Sequence, residues 1–281
     1  MSNRFVTPLI RSVVYVTVFC LLLPATSFAA TLKIGGTGAA LGTMRILADE
    51  FVRMHPDVSV VIPDSLGSGG GIKAVLAGAL DIALSSRQLK SKEQNAGAKS
   101  ILYATTPFVL VTPASPSNPA PGLTSEELIK AFSGEPVHWS DGTPIRIILR
   151  NKKDSSTRII ISAFEGMDAA LAKARTIPGI PVAHTEQDNM DLAETLPGAL
   201  TTGSLTAILA ENRSLTPIAI DGVMPSLENL ADGAYSISKS LYLVTDPKVS
   251  QVALDFIRFV QSNEGASILR ATGNLAVPSE G

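Results

Sequence analysis

The sequence predicts an α/β protein built from repeated strand–turn–helix units, and three observations carry that expectation. Short apolar, β-rich runs alternate with stretches of helical periodicity. Glycines and hydroxyls recur where strands give way to helices, at Gly36-Thr37-Gly38, Gly67-Ser68-Gly69-Gly70-Gly71 and Ser155-Ser156-Thr157. Alternation of this kind argues for a parallel sheet, whose ligand sites lie at the carboxyl ends of the strands. The third observation is length: 281 residues exceed a typical single domain, which leaves two lobes or one large domain.

The N-terminus stands apart from this pattern. Arg4 and Arg11 precede the apolar stretch Ser12 to Leu23, then Pro24 and the small residues Ala25-Thr26-Ser27-Phe28-Ala29-Ala30. A basic start, a short apolar segment and a small-residue cleavage site predict a secretory signal over residues 1–30. The only cysteine, Cys20, lies inside it with Val18-Phe19 before it, a poor match to a lipid-anchor site. The exported chain is then expected to lack cysteine, disulfides and thiolate chemistry. Without the signal it has 21 basic residues against 25 acidic ones, a net charge near −4. That balance gives no broad basic field for nucleic acid or an anionic membrane.

In chain order, Leu32-Lys33-Ile34 is a strand, and Leu41, Met44, Leu47, Ala48, Phe51 and Met54 mark the helix after it. Val58 to Ile62 is the next strand, Gly70 to Ala77 the next helix with Ser68 as a possible cap, and Asp81 to Ser85 another strand. Ile101 to Val111 is β-rich, interrupted at Thr105-Thr106-Pro107, and residues 113–121 form a proline-rich linker. Thr124 and Glu127 have capping-box spacing, with Gly134 as the stop of that helix. Pro144 to Leu149 is a strand, Ile159 to Phe164 a helix, Asp188 to Thr195 a helix, and Leu200 to Leu209 a strand or turn. Tyr235 to Thr245 is β-rich, and Val249 to Val260 with Ser267 to Ala271 close the chain as helices.

Catalysis finds little support in these residues. His55, His138 and His184 are scattered, in no metal-ligand spacing and near no nucleophile elbow. No cofactor or metal is expected. His55 reads as a helix end, His138-Trp139 as local packing, Asp81 as a strand-start residue bonding backbone, and Glu126-Glu127 as a first helical turn. The hydroxyls differ: three sets at strand ends, each beside glycine or a cation, favour a shared donor cage over three separate caps. Fixed N–H and O–H groups suit a tetrahedral oxyanion. Arg150, Lys152, Lys153 and Arg158 flank the third set.

With these residues in place, the chain resembles the phosphate-binding components of bacterial ABC importers, in the type II periplasmic binding protein superfamily. The resemblance runs from about Leu32 to Pro278. It rests on Gly36-Thr37-Gly38, on Gly67 to Lys73, on Asp81 to Arg87, and on Leu123 to Leu128 with Trp139-Ser140-Asp141. Tyr235-Ser236-Ile237-Ser238 with Leu241-Tyr242-Leu243 resembles the family's return strand, and Phe256-Ile257 through Glu264-Gly265 its terminal helix pair. The resemblance implies two α/β lobes joined by two crossover strands, near Phe108 to Val111 and near Tyr235 to Leu243, with the anion in the cleft between them. Lobe one would be residues 31–111 plus 236–281, and lobe two residues 112–235.

The implied site residues are Thr37, Gly38, Ala39, Ser68, Gly69, Ser85, Ser86, Arg150, Asp154, Ser155, Ser156 and Thr157. The implied function is a periplasmic, non-enzymatic, monomeric solute-binding protein. It would capture an inorganic oxyanion, foremost phosphate, for an inner-membrane ABC permease. A sensor of the same fold, or a binder of molybdate, tungstate or sulfate, is the alternative. The third loop departs from the family pattern, with Asn151 in the arginine position, Asp154 and Ser156 in glycine positions, and Arg150 displaced by one. Ser86 stands where some members carry an aspartate. Because phosphate near pH 7 keeps a proton, a selective site benefits from a carboxylate acceptor. Of the acids in these loops Asp154 is the one expected nearby, either as that acceptor or as a plain helix cap.

Overall fold

The computed structural model describes residues 30–115 and 121–278. The expected signal segment up to Ala29, with Cys20, and part of the proline-rich linker lie outside the described residues. β1 (Ala30–Gly36) leads into α1 (Gly38–Met54), β2 (Val58–Val61), α2 (Gly67–Leu76), β3 (Ile82–Ser85), α3 (Ser91–Asn95) and β4 (Lys99–Pro113). Then come β5 (Gly122–Leu123), α4 (Ser125–Phe132), β6 (Arg146–Ile147), β7 (Leu149–Arg150), α5 (Ser155–Ala163), α6 (Met167–Ala174) and β8 (Val182–Ala183). They are followed by α7 (Glu186–Thr195), β9 (Ala199–Ser204), α8 (Leu205–Ala210), β10 (Leu215–Pro217), β11 (Ala219–Ile220) and α9 (Leu227–Ala231). The chain returns as β12 (Ser238–Thr245), α10 (Gln251–Val260), α11 (Asn263–Ala271) and β13 (Leu275–Ala276).

The main sheet has the order β2-β1-β3-β12-β4-β9-β6. It is mixed rather than parallel throughout. β1 pairs in parallel with β2 and β3, and β6 with β9, as helical crossovers require. β12 and β4 run antiparallel to their neighbours. β4 is one uninterrupted strand of 15 residues, about 50 Å long at the usual rise. It pairs with β12 from Lys99 to Pro107 and with β9 from Phe108 to Val111. Pro107, which donates no ladder bond, sits where the partner changes instead of ending the strand.

Apolar burial follows the same division. One pair of clusters joins Leu32, Met44, Phe51 and Ile82 to Leu243 and Phe256, and Ile72 to Val244. The other pair gathers Phe108, Phe132, Ile160, Leu200 and Ile218, and Val109, Met190 and Ile208. Among the described residues no helix is long and apolar enough to cross a membrane.

Several local expectations agree with the structure. Thr124 and Glu127 form a reciprocal capping box at α4, and Gly134 follows that helix with φ +79°. Asp81 accepts the backbone N–H of Lys33 at 2.7 Å, and His55 is the C-cap of α1. Others need correction. α2 begins at Gly67, so the glycine run is its first turn and Leu66, not Ser68, is the N-cap. The expected strand at 144–149 divides into β6 and β7, which pair with β9 and β8 respectively. Residues 205–210 form the helix α8 rather than a strand. A buried apolar run this short does not reveal its period.

Candidate anion-binding cleft

Thr37 caps α1 in extended conformation, but its side chain makes no cap bond and reaches away from the helix. Its Oγ1 lies 3.2 Å from Ser86 Oγ, just beyond β3. That approach depends on Gly36, whose φ is +147° and where a Cβ would lie 2.1 Å from Leu84 O. Ser68, in the first turn of α2, accepts the Ser86 N–H at 3.0 Å, and the two hydroxyl oxygens are 3.2 Å apart. Ser155 opens α5 and places its Oγ 2.7 Å from Ser86 Oγ. Ser86 therefore collects hydroxyls from the starts of three helices. Each start also has N–H groups without intrahelical partners and the positive end of a helix dipole.

Thr37, Gly38, Ser68, Gly69 and Ser155 line one cleft with a volume of about 580 Å³, whereas Ser86, 6% exposed, is not among its lining residues. The other expected residues take different positions. Ser85 turns back on its own loop, donating to Arg87 O at 2.7 Å. Thr157 donates to Asn151 O at 2.8 Å, which ties the third loop together rather than facing the quartet. Ser156 is fully buried and accepts from Lys239 Nζ at 3.1 Å. The Ala39 side chain, in the first turn of α1, is buried and has no polar group to offer.

Arg150 lines the cleft but is almost completely buried, and it is already engaged. It donates to Thr185 O and to Asp154 Oδ2, and Glu186 Oε2 lies 3.7 Å away. Its Nε is buried without a partner among the described residues. Asp154 serves as the N-cap of α5, taking the Ser156 N–H on Oδ1 at 2.8 Å and Arg150 on Oδ2 at 3.0 Å. Burial alone would push its carboxyl up. The charges of Arg150 and Lys239 and these hydrogen bonds together hold it below its ordinary value. Both expected roles draw on the same two oxygens, and the cap with its ion pair occupies both.

The sequence reading missed Glu186 and Lys239. Lys239, on β12, is 1% exposed, with Nζ 3.6 Å from Glu186 Oε1 and 5.7 Å from the centre of the Phe108 ring. Asp154, Arg150, Glu186 and Lys239 thus form a chain of alternating charge with no net charge, its last three members buried and Asp154 partly exposed at the end. The signal for Lys239 was present, since β12 alternates and this lysine falls on its buried face. Lys90, Lys153, Arg158 and His184 line the outer part of the cleft. Arg87 there is held by Glu93 through two bonds of 2.8 and 2.7 Å. That hydrogen bonding is the chief reason the Glu93 carboxyl falls to about 2. Among the described residues no group of His, Cys, Asp and Glu is placed to hold a metal ion.

Comparison with known proteins agrees with this architecture. The phosphate-binding protein PstS of Bacillus subtilis is 28% identical over 242 residues, covering 84% of this chain and 77% of that one. PstS of Borreliella burgdorferi is 24% identical over 251 residues, covering 84% and 87%. A substrate-binding protein from Clostridium perfringens, solved with phosphate bound, superposes with a TM-score of 0.73 at 24% identity, covering 88% of this chain and 99% of that one. The fold is that of the periplasmic binding proteins. The family profile described as the PBP superfamily domain matches residues 24–264, and the chain is a member of that superfamily.

Proposed function

We propose that this protein is the solute-binding component of an ABC importer and that it captures phosphate in the cleft around Ser86. The observation that carries this is the meeting of Thr37, Ser68 and Ser155 at Ser86, from three helix starts. Neutral donors of this kind hold an anion without adding a mobile counter-charge. The names of the PstS relatives support phosphate as the ligand. The buried Arg150 Nε supports a further donor, and the outer lysines favour the approach of an anion. No nucleophile–base pair is part of the reading, and the cleft binds rather than reacts.

Two lobes, residues 31–111 with 236–281 and residues 112–235, would close on the anion. The separate apolar clusters support two lobes but group Phe108 to Val111 with the second, so the boundary in β4, and with it the hinge, would fall at Pro107. Tyr235, whose hydroxyl donates to Phe108 O at 2.6 Å, would anchor the second crossover. Closure would bias the protein toward the form an inner-membrane permease recognises. The basic, apolar and small-residue order of residues 1–30 supports export to the periplasm.

Calorimetric titration of the ligand-stripped mature chain with phosphate, sulfate, molybdate and tungstate tests this reading. Phosphate is expected to bind most tightly. Ser68→Ala is expected to weaken it by about 1–3 kcal/mol, since one hydroxyl is lost while the helix N–H groups remain. Equal binding of all four anions, or none of phosphate, rejects the reading.

A further inference from the structure

Glu186 opens α7 and forms part of the cleft wall, although its side chain is only 4% exposed. Ser204 Oγ lies 3.2 Å from its Oε1 and Lys239 Nζ 3.6 Å from the same oxygen. Its Oε2 has Arg150 Nη2 at 3.7 Å, beyond hydrogen-bonding distance, and accepts no hydrogen bond among the described residues. The side chain packs against the start of α1, where a Cβ on Gly38 would lie 2.7 Å from Glu186 Cβ. Gly38 follows Thr37, whose hydroxyl belongs to the Ser86 quartet. A buried carboxylate with acceptor capacity to spare therefore stands beside the hydroxyls.

Such a group is out of place beside a fully ionised anion. Two negative charges in a desolvated site repel strongly, and the repulsion offsets what the hydroxyls gain. The arrangement becomes favourable when the ligand itself brings a proton, because an O–H donating to a carboxylate makes one of the stronger hydrogen bonds. Asp154 is poorly placed for this, with one oxygen on the Ser156 N–H and the other on Arg150. Arg150 and Lys239 fix the Glu186 carboxylate from two sides, and with Asp154 they leave the group of four neutral overall. We propose that Glu186 is the specificity-determining carboxylate of the cleft, accepting the proton of hydrogen phosphate and turning sulfate away. The inference rests on the phosphate reading above.

Phosphate and sulfate titrations at one pH and one ionic strength test it on three proteins. These are the ligand-stripped wild type, Glu186→Gln, and the double variant Glu186→Met with Lys239→Met. In Glu186→Gln the amide still offers a carbonyl but no charge, so sulfate should tighten by about tenfold while phosphate changes by much less. The double variant removes the charges as a pair and the acceptor with them, so phosphate should weaken by about tenfold and sulfate should not. It also keeps the test available if the single variant fails to fold, which a thermal melt reports. A phosphate-to-sulfate ratio unchanged in both variants overturns the proposal. So does a parallel shift of both anions, which would reduce Glu186 to charge balance. A wild type that binds phosphate no better than sulfate fails at the earlier step and rejects the phosphate reading itself.

Discussion

Arg150→Met is expected to cost about 3–5 kcal/mol of folding stability, because it leaves buried carboxylates without their shared cation. Arg150 donates to Asp154 at 3.0 Å, lies 3.7 Å from Glu186, and also holds Thr185 O at the cap of α7. Methionine fills the space but supplies none of these bonds. The pH dependence should flatten as well. In the native protein Asp154 sits below its ordinary value, so its contribution is complete above that value and fades as pH falls through the lowered one. Without Arg150 only Lys239 and the Ser156 N–H still oppose the burial, so the folded-state carboxyl should sit closer to its ordinary value. The variant should lose less stability on acidification than the native protein does. Urea unfolding at several pH values measures both slopes, and parallel curves would contradict the assignment.

Gly71→Ala should cost about 1–3 kcal/mol of stability and reduce anion affinity together with it. A Cβ at Gly71 would lie 2.7 Å from Gly36 Cα and 3.0 Å from Gly35 O, both backbone atoms of β1, which is paired with β2 on one side and β3 on the other. α2 would have to back away from the sheet. Ser68 rides on the first turn of α2, and its Oγ is 3.0 Å from Ser86 N, so the shift opens that bond. Gly69→Ala provides the comparison for stability. Its Cβ would meet nothing closer than Arg87 Nη2 at 4.0 Å, and alanine in place of glycine within a helix favours folding by about 0.5–1 kcal/mol. A Gly71→Ala variant as stable as Gly69→Ala would mean that close packing against β1 does not constrain the site.

Much of this architecture was legible in the sequence, for local reasons. Thr124 with Glu127, the helix-ending His55 and the strand-start Asp81 are short-range signals, and each acts within its own segment or on a neighbouring strand. The glycines at 36 and 67–71 pointed to tight strand–helix approaches, although the helix they serve starts earlier than its apolar period suggests. Long-range facts were harder to read. Asp154 was open to two roles, acceptor or helix cap, because nothing in the sequence shows that Arg150, four residues earlier, turns onto it. Glu186 and Lys239 are 53 residues apart and meet only because β12 returns beside β4 at the cleft. Likewise, Pro107 marks a change of strand partner rather than a break, because β9 takes over the pairing from β12.

The central claim is that one anion sits among hydroxyls drawn from three helix starts. A crystal structure of the mature protein grown with phosphate tests that claim most directly. The account predicts a tetrahedral anion within hydrogen-bonding distance of Thr37, Ser68, Ser86 and Ser155, with Glu186 facing one of its oxygens. Phosphate bound elsewhere, with the four hydroxyls bonded to one another as before, would contradict it.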